Sequence, residues 1–325
     1  MQAPQVAPTT DNNHFGLGVL FVALGSASYG MLSTVVKLAY EKNFTTGEVV
    51  TSQFLWGVLC LWVLNLVFSK RSDRPTRRDV WNLMWAGAPL GLTGIFYYSC
   101  VRDISASIGV VLLMQSVWMG VVVESVQSRR RPGALKMIGV ILVLAGTVLA
   151  TDALSGDHHL SVMGVVFGLL SAVSYTWTLF ASSSVGAHLT SLQRSQHMVR
   201  GGAVLALLFL FVFQALPYAL QTPSPVDGLI PNRVFSFDIV FTYGLFVALF
   251  GTVIPPLMLN RGFPVVGVGL GSIISSIELP CAVLMAYLLL GETVNTLQGL
   301  GIFLILAAIF ILNFKLIAPQ KRTTA

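Results

Sequence analysis

The chain has 325 residues, of which 55% are apolar and only 10% charged, and it carries a formal net charge of +6. A soluble domain carries about 25% charged residues. The deficit, with a mean hydropathy of +0.79, excludes an ordinary soluble domain and puts the sequence in the membrane class.

The first residues, MQAPQVAPTTDNNHF, lack a basic n-region, so the first apolar run reads as a retained span and not a cleaved signal peptide. The sequence predicts an all-α polytopic membrane protein with ten transmembrane helices, near 16–38, 47–68, 80–101, 104–126, 133–151, 162–184, 196–216, 239–259, 267–290 and 296–317. At about 1.5 Å per residue, roughly 20 residues cross a hydrocarbon core of about 30 Å. The third and fourth spans meet at Arg102-Asp103, and the seventh starts among Arg194, His197 and Arg200. The longest connection, Pro217 to Asp238, holds Pro217, Pro223, Pro225 and Pro231 and reads as an irregular external loop.

Ten spans put both termini on one side. Of the 19 Lys and Arg, only Lys37, Lys42, Arg102 and Arg233 fall on the other side. The excess of basic residues marks the cytoplasmic face, so both termini are expected there, in an inner membrane of bacterial type. Arg129-Arg130-Arg131 then reads as a topology signal. Basic residues confined to such short connections do not suggest nucleic acid. Cys60, Cys100 and Cys281 lie within spans, without metal-ligand spacing, and read as free thiols.

The sequence also repeats. Residues 18–31, GVLFVALGSASYGM, align with 164–177, GVVFGLLSAVSYTW, and 139–146, GVILVLAG, align with 301–308, GIFLILAA. This predicts two five-helix repeats, 1–154 and 155–325. Five is odd, so the second is inverted in the membrane, the pattern of alternating-access transporters with a midplane site.

The segment SSIELPCAVLMAYLLLGETVNTLQGLGIFLILAAI resembles the closing two helices of the EamA-type family of the drug/metabolite transporter superfamily. Glu278-Leu279-Pro280, Gly291-Glu292 and Gly301 carry the likeness, with Asp103-Ile104-Ser105-Ala106 in the first half. Arg129-Arg130-Arg131 stands where the family often has Gly-Glu, Trp118 where Pro is common, and Gln53-Phe54 where many members have Arg-Phe. The resemblance implies a ten-helix bundle around a central cavity and secondary transport, usually export of small metabolites such as amino acids.

Glu278 is the leading candidate residue. An acid at mid-span costs roughly 2.5–3.5 kcal/mol to insert, so it faces protein or a water-filled cavity. It would pair with a substrate ammonium or carry a coupling proton; the bland alternative is a structural acid bonded to a neighbouring helix. Gly267, Gly271, Ser275, Glu278 and Ala282 share one small, polar helix face. Pro280 lacks an N–H and would free the carbonyl of Ser276; with Pro255 and Pro256 it is a candidate hinge. The repeat register sets Glu278 against Ser116 and Pro280 against Trp118. Gln115 is read as a ligand contact or helix glue, and Trp118 as a cavity wall or packing. Tyr29 and Ser28, with Ser174, Tyr175 and Trp177, are candidate aromatic and hydroxyl walls, against ordinary packing. Tyr97 and Tyr98 read equally as an interfacial belt. Arg200 either snorkels or meets a substrate carboxylate or Glu278. Glu124 is expected to meet the neighbouring basic loop, and Glu292 to cap the ninth helix in an exposed turn.

The expected cavity is formed by the first, fourth, sixth, seventh and ninth spans. The expected partners are a small-molecule metabolite, the lipid bilayer and protons as coupling ion; no cofactor or metal is expected and no particular oligomer is indicated. Asp157-His158-His159 is like a metal cluster only in composition. Walker A, GxSxG, HExxH and CxxC patterns do not occur, so nothing marks an enzyme. Two other readings remain: a nucleotide-sugar or sugar-phosphate exchanger, which needs positive charge at mid-depth, and a polytopic enzyme acting on lipid.

Overall fold

A computed structural model describes residues 12–68, 75–129, 131–151, 161–186, 188–222, 234–266, 271 and 274–317. Gly267 and Asp157-His158-His159, singled out above, lie outside them. The described residues form helices joined by short links, with no strand among them.

The first half contains α1 (Asn12–Glu41), α2 (Thr46–Phe68), α3 (Arg77–Asp103), α4 (Ala106–Leu113), α5 (Ser116–Ser128) and α6 (Ala134–Ala150). The second contains α7 (Val162–Ser184), α8 (Ser191–Leu210), α9 (Leu216–Leu220), α10 (Asp238–Phe241), α11 (Tyr243–Ala248), α12 (Ile254–Val266), α13 (Glu278–Leu290) and α14 (Thr296–Ile317). Five helical stretches are long and apolar enough to cross a membrane: Phe15–Glu41, Thr46–Phe68, Ala106–Gln127, Val162–Ala181 and Leu192–Leu220. Ala134–Ala150, Tyr243–Leu259, Glu278–Leu290 and Thr296–Leu312 are apolar but shorter. The long α3 is not among either group: Asn82, Trp81, Trp85, its glycines and its tyrosines make its uncharged centre less apolar than the other spans.

Apolar side chains cover the outside. Leu66, Trp85, Val126, Leu208 and Phe303 are each more than half exposed. A surface of this kind associates in water and is at ease in lipid. Serines, threonines and glutamines go inward instead, among them Ser28, Ser33, Gln53, Thr93, Gln115 and Thr252.

Capping boxes fix several starts. Thr76 with Asp79 opens α3, and Thr190 with Gln193 opens α8. The seventh span therefore begins at Ser191, ahead of its charged residues, and not at 196 as their crowding suggests. It continues to Leu220 through a π-helical turn, Phe211–Ala215. The expected eighth span is broken: α10 and α11 are separated at Thr242, and a second π-helical turn, Leu249–Val253, leads into α12. Each wide turn is followed, one residue later, by a proline, Pro217 or Pro255. Proline cannot donate to the helical ladder and its ring collides with the carbonyl four residues back; widening the preceding turn moves that carbonyl aside. Pro255 and Pro256 thus sit in the first turn of α12, at the join of two helical geometries.

The fourth span divides at Met114-Gln115, where α4 ends and α5 starts. Helix α13 likewise starts only at Glu278, after a turn at Ser276-Ile277. Pro280 is therefore the third residue of a helix and breaks no interior hydrogen bond. The Ser276 carbonyl, expected to be freed, accepts the Leu279 N–H at 3.2 Å. The first-half break has no proline; there the Gln115 amide bonds the Val111 carbonyl at 3.0 Å.

Helix ends match as well. Helix α13 closes on Gly291 at φ +67°, and α5 closes on Arg129 at φ +50°. A left-handed cap suits glycine, and any other residue there costs about 1 kcal/mol. Arg129→Gly is accordingly expected to stabilise the protein by about 1 kcal/mol, measured as a higher unfolding midpoint in detergent; a lowered midpoint would contradict this.

Helix α3 lies between α7 and α8, α1 between α12 and α13, and α6 against α14. Several glycine contacts bring backbones together, two of them between α3 and α8. A Cβ on Gly87 would lie 2.0 Å from the Met198 carbonyl oxygen, and one on Gly201 1.9 Å from that of Met84. Small residues at such crossings let helices approach in lipid, where hydrophobicity alone does not drive association.

Candidate functional site

Glu278 opens α13 beside α1. A Cβ at Gly30 would fall 2.4 Å from the Glu278 carbonyl oxygen and 3.0 Å from the Ala282 nitrogen. The small helix face read from the sequence is therefore occupied at Ala282 by α1. The Cys281 thiol donates to the Ala27 carbonyl at 3.3 Å across the same contact.

Glu278 lines a cavity of about 70 Å³. Tyr29 and Leu32 of α1 and Phe54 of α2 contribute walls. Tyr97 and Tyr98 of α3, Leu113 of α4 and Tyr175 of α7 close further sides. Gly251 and Thr252, on the second π-helical turn, complete it. Both halves of the chain thus contribute. The Tyr98 hydroxyl donates to Gln53 Oε1 at 2.6 Å, and Gln53 Nε2 donates to Thr252 Oγ1 at 2.9 Å. This chain ties α2, α3 and the π-helical turn together on the wall. Thr93, also lining the cavity, has its hydroxyl 3.1 Å from that of Ser174. Glu278 is the one carboxyl among the described lining residues, and no Lys, Arg or His is among them.

The sequence-selected residues divide. Glu278, Tyr29 and Tyr175 come together on the cavity. Ser174 stands one hydrogen bond behind it, and Ser28 bonds the Phe250 carbonyl of the π-helical turn at 3.1 Å. The Ser275 hydroxyl is buried with no partner among the described residues. Gln115 and Trp118 are elsewhere: the Gln115 amide bonds Thr147 of α6 at 2.5 Å, and the Trp118 indole N–H donates to Gln115 at 3.0 Å. That joins α5 to α6 as helix glue. Trp177 is 67% exposed. It lies two residues, about 200°, around α7 from Tyr175, so both cannot face inward. Arg200 does not line the cavity and makes no ion pair with Glu278; its guanidinium lies 3.4 Å from His197 Nδ1. The seventh span thus contributes no described wall residue, while the second, third and eighth do.

Tyr97 and Tyr98 are buried, at 4% and 1% exposure, and form no interfacial belt. Both line the cavity instead. Glu292 is not a cap of its own helix. Its carboxylate accepts from the Ala106 N–H at 2.7 Å, the Ser107 N–H at 3.2 Å and the Ser107 hydroxyl at 2.8 Å. It therefore caps α4 from across the bundle, where it also complements the helix dipole. Glu292→Ala should cost about 1–2 kcal/mol, read as a lower unfolding midpoint; an unchanged midpoint would refute the cap. Glu124 does meet a base, Lys136, at 2.6 Å.

One buried acid escaped the sequence reading. Glu48 is fully buried at the start of α2, where its carboxylate accepts from the Thr45 N–H at 2.8 Å, the Ser236 N–H at 2.9 Å and Gln214 Nε2 at 3.2 Å. The signal was the Thr45-Thr46-Gly47-Glu48 capping box. Its satisfied bonds make it a structural clasp between α2, the first π-helical turn and the segment before α10.

A helical bundle dressed in apolar side chains, with polar groups inside and a carboxyl on the wall of a small internal cavity, defines a polytopic membrane protein. The model of the EamA-like transporter family matches the chain over residues 16–151 and again over 162–314, and the chain belongs to that family. A protein of Synechocystis sp. (strain ATCC 27184 / PCC 6803 / Kazusa), described as an uncharacterized transporter, is 22% identical over 330 residues, covering 94% of this chain and 95% of its own. A protein crystal structure at 15% identity superposes with a TM-score of 0.61 and covers 95% of this chain and 100% of its own, a likeness of fold alone. The protein is thus a membrane-embedded transporter of the drug/metabolite superfamily.

Proposed function

We propose that the protein is a secondary active exporter of small metabolites that works by alternating access, with the cavity beside Glu278 as its substrate site. The observation that carries this reading is a cavity enclosed by both halves, holding a single acid at the start of a broken helix. Two inverted five-helix repeats, 1–154 and 155–325, would alternately expose it to either side. Three features support the repeats. The breaks before Ser116 and Glu278, and the left-handed caps at Arg129 and Gly291, stand in the same register. Packing of α3 on α7 is mirrored by packing of α1 on α12, and α6 meets α14. The family model matches twice.

Pro255, Pro256 and Pro280 mark the joints where helices change geometry and would bend. Glu278 would carry a coupling proton or pair with a substrate ammonium. Each unit charge moved through 100 mV contributes about 2.3 kcal/mol. An inner-membrane location with cytoplasmic termini follows from the basic connections. The lack of a basic residue among the described lining residues disfavours an exchanger of phosphorylated sugars.

The test is uptake into proteoliposomes of a radiolabelled metabolite panel that includes amino acids, with and without an imposed pH gradient. Accumulation of one solute raised by the gradient supports coupled transport. Equilibration or exchange indifferent to the gradient removes the proton role, and no movement of any solute by folded protein sinks the reading.

A further inference from the structure

We propose that the solute admitted to this cavity is a compact organic monocation, an alkyl- or quaternary ammonium, and not a zwitterionic amino acid. This rests on the transporter reading above and narrows its substrate class.

Among the described residues the Glu278 carboxylate is the one carboxyl on the cavity wall, no side chain hydrogen-bonds it and no base pairs with it. The undescribed residues just before it in sequence, 267–270 and 272–273, carry no charged side chain either. A carboxyl without a partner in such a wall either holds a proton or takes a cation against it. The wall therefore has a place for one positive charge. It has no place for a negative one, because a carboxylate brought in with the ammonium would meet Glu278 and no cation.

The second strand is the wall itself. Tyr29, Tyr97, Tyr98, Tyr175 and Phe54 line the same cavity as the acid. Aromatic faces attract cations, and an aromatic cage is the usual receptor for quaternary ammonium groups, which offer no N–H to donate. Four of the polar wall groups are already engaged. Tyr98, Gln53 and Thr252 bond one another, and Thr93 bonds Ser174. An ammonium with short alkyl groups needs only the rings and the carboxylate. A cavity of about 70 Å³ leaves room for nothing larger than a compact group.

The test is calorimetric titration of the purified full chain in detergent with choline, its neutral isostere 3,3-dimethylbutan-1-ol, and glycine betaine, which has choline's quaternary head and a carboxylate. Choline is expected to bind at least tenfold more tightly than either comparison compound. Glu278→Gln is expected to weaken choline at least tenfold. Tyr175→Phe should retain binding and Tyr175→Leu lose it. Gln53→Arg, which adds a positive charge to the wall, should abolish it. Equal binding of betaine or of the isostere overturns the proposal, as does undiminished choline binding by folded Glu278→Gln or no cation binding by folded wild type. The two readings separate in proteoliposomes. Movement of a zwitterionic or neutral solute without any cation leaves the transporter reading standing and removes the cation, while movement of nothing removes both.

Discussion

Glu278→Gln is expected to lower transport roughly a hundredfold or more while leaving the yield and unfolding midpoint of the protein unchanged. The two side chains have nearly the same shape, and no described hydrogen bond or ion pair depends on the carboxylate, so folding has little to lose. Transport loses the one charge on the cavity wall. Removing one member of a buried charge pair costs about 2–5 kcal/mol, and every 1.4 kcal/mol is tenfold. Glu278→Asp keeps the charge but withdraws it by one methylene, and should fall between. The comparison that matters is initial rate per folded protein in proteoliposomes. Wild-type rates for Glu278→Gln would remove the cavity from the transport path. Loss of gradient-driven uptake with retained exchange would assign Glu278 to proton coupling alone.

Gly201→Val is expected to act in the opposite way, on the fold and not on the site. A Cβ at Gly201 would meet the Met84 carbonyl oxygen at 1.9 Å and its carbonyl carbon at 2.7 Å. The obstacle is backbone, so no rotamer change relieves it and α3 and α8 must separate. The expected loss is about 3 kcal/mol, the upper end of ordinary overpacking. It would be seen as a lowered unfolding midpoint and a broadened size-exclusion profile. Gly120→Ala is the control, since nothing lies within 4 Å of the added methyl; there the helix should gain about 0.5–1 kcal/mol. Similar midpoints for the two variants would refute the close crossing. Because α3 also carries Tyr97 and Tyr98, partial loss of transport should accompany the destabilisation.

Much of this protein follows from the sequence without tertiary information. Apolar runs near 20 residues admit little except helices in a bilayer, because backbone polar groups must be satisfied within the segment. The cost of an acid in such a run singled out Glu278, and the Ser-Tyr pairs of the repeat brought out Tyr29 and Tyr175. Helix geometry alone separates Trp177 from Tyr175, since two residues turn a side chain to the other face.

The tertiary structure decided what each polar residue meets. Gln53 looked like a departure from a family pattern; α3 and the π-helical turn supply Tyr98 and Thr252, and so make it part of the cavity wall. Gln115 has the composition of a ligand contact, but α6 places Thr147 beside it. Glu292 is 186 residues from Ala106 in sequence, and only the folded bundle brings it to the start of α4. Pro280 reads as a mid-helix kink, yet α13 begins two residues before it, so its missing N–H costs little. In each case the local pattern states what a residue needs, a partner, a cap or a bend. Which group meets that need is set by long-range packing, and the glycine crossings at Gly30, Gly87 and Gly201 hold the helices close enough for those partners to meet.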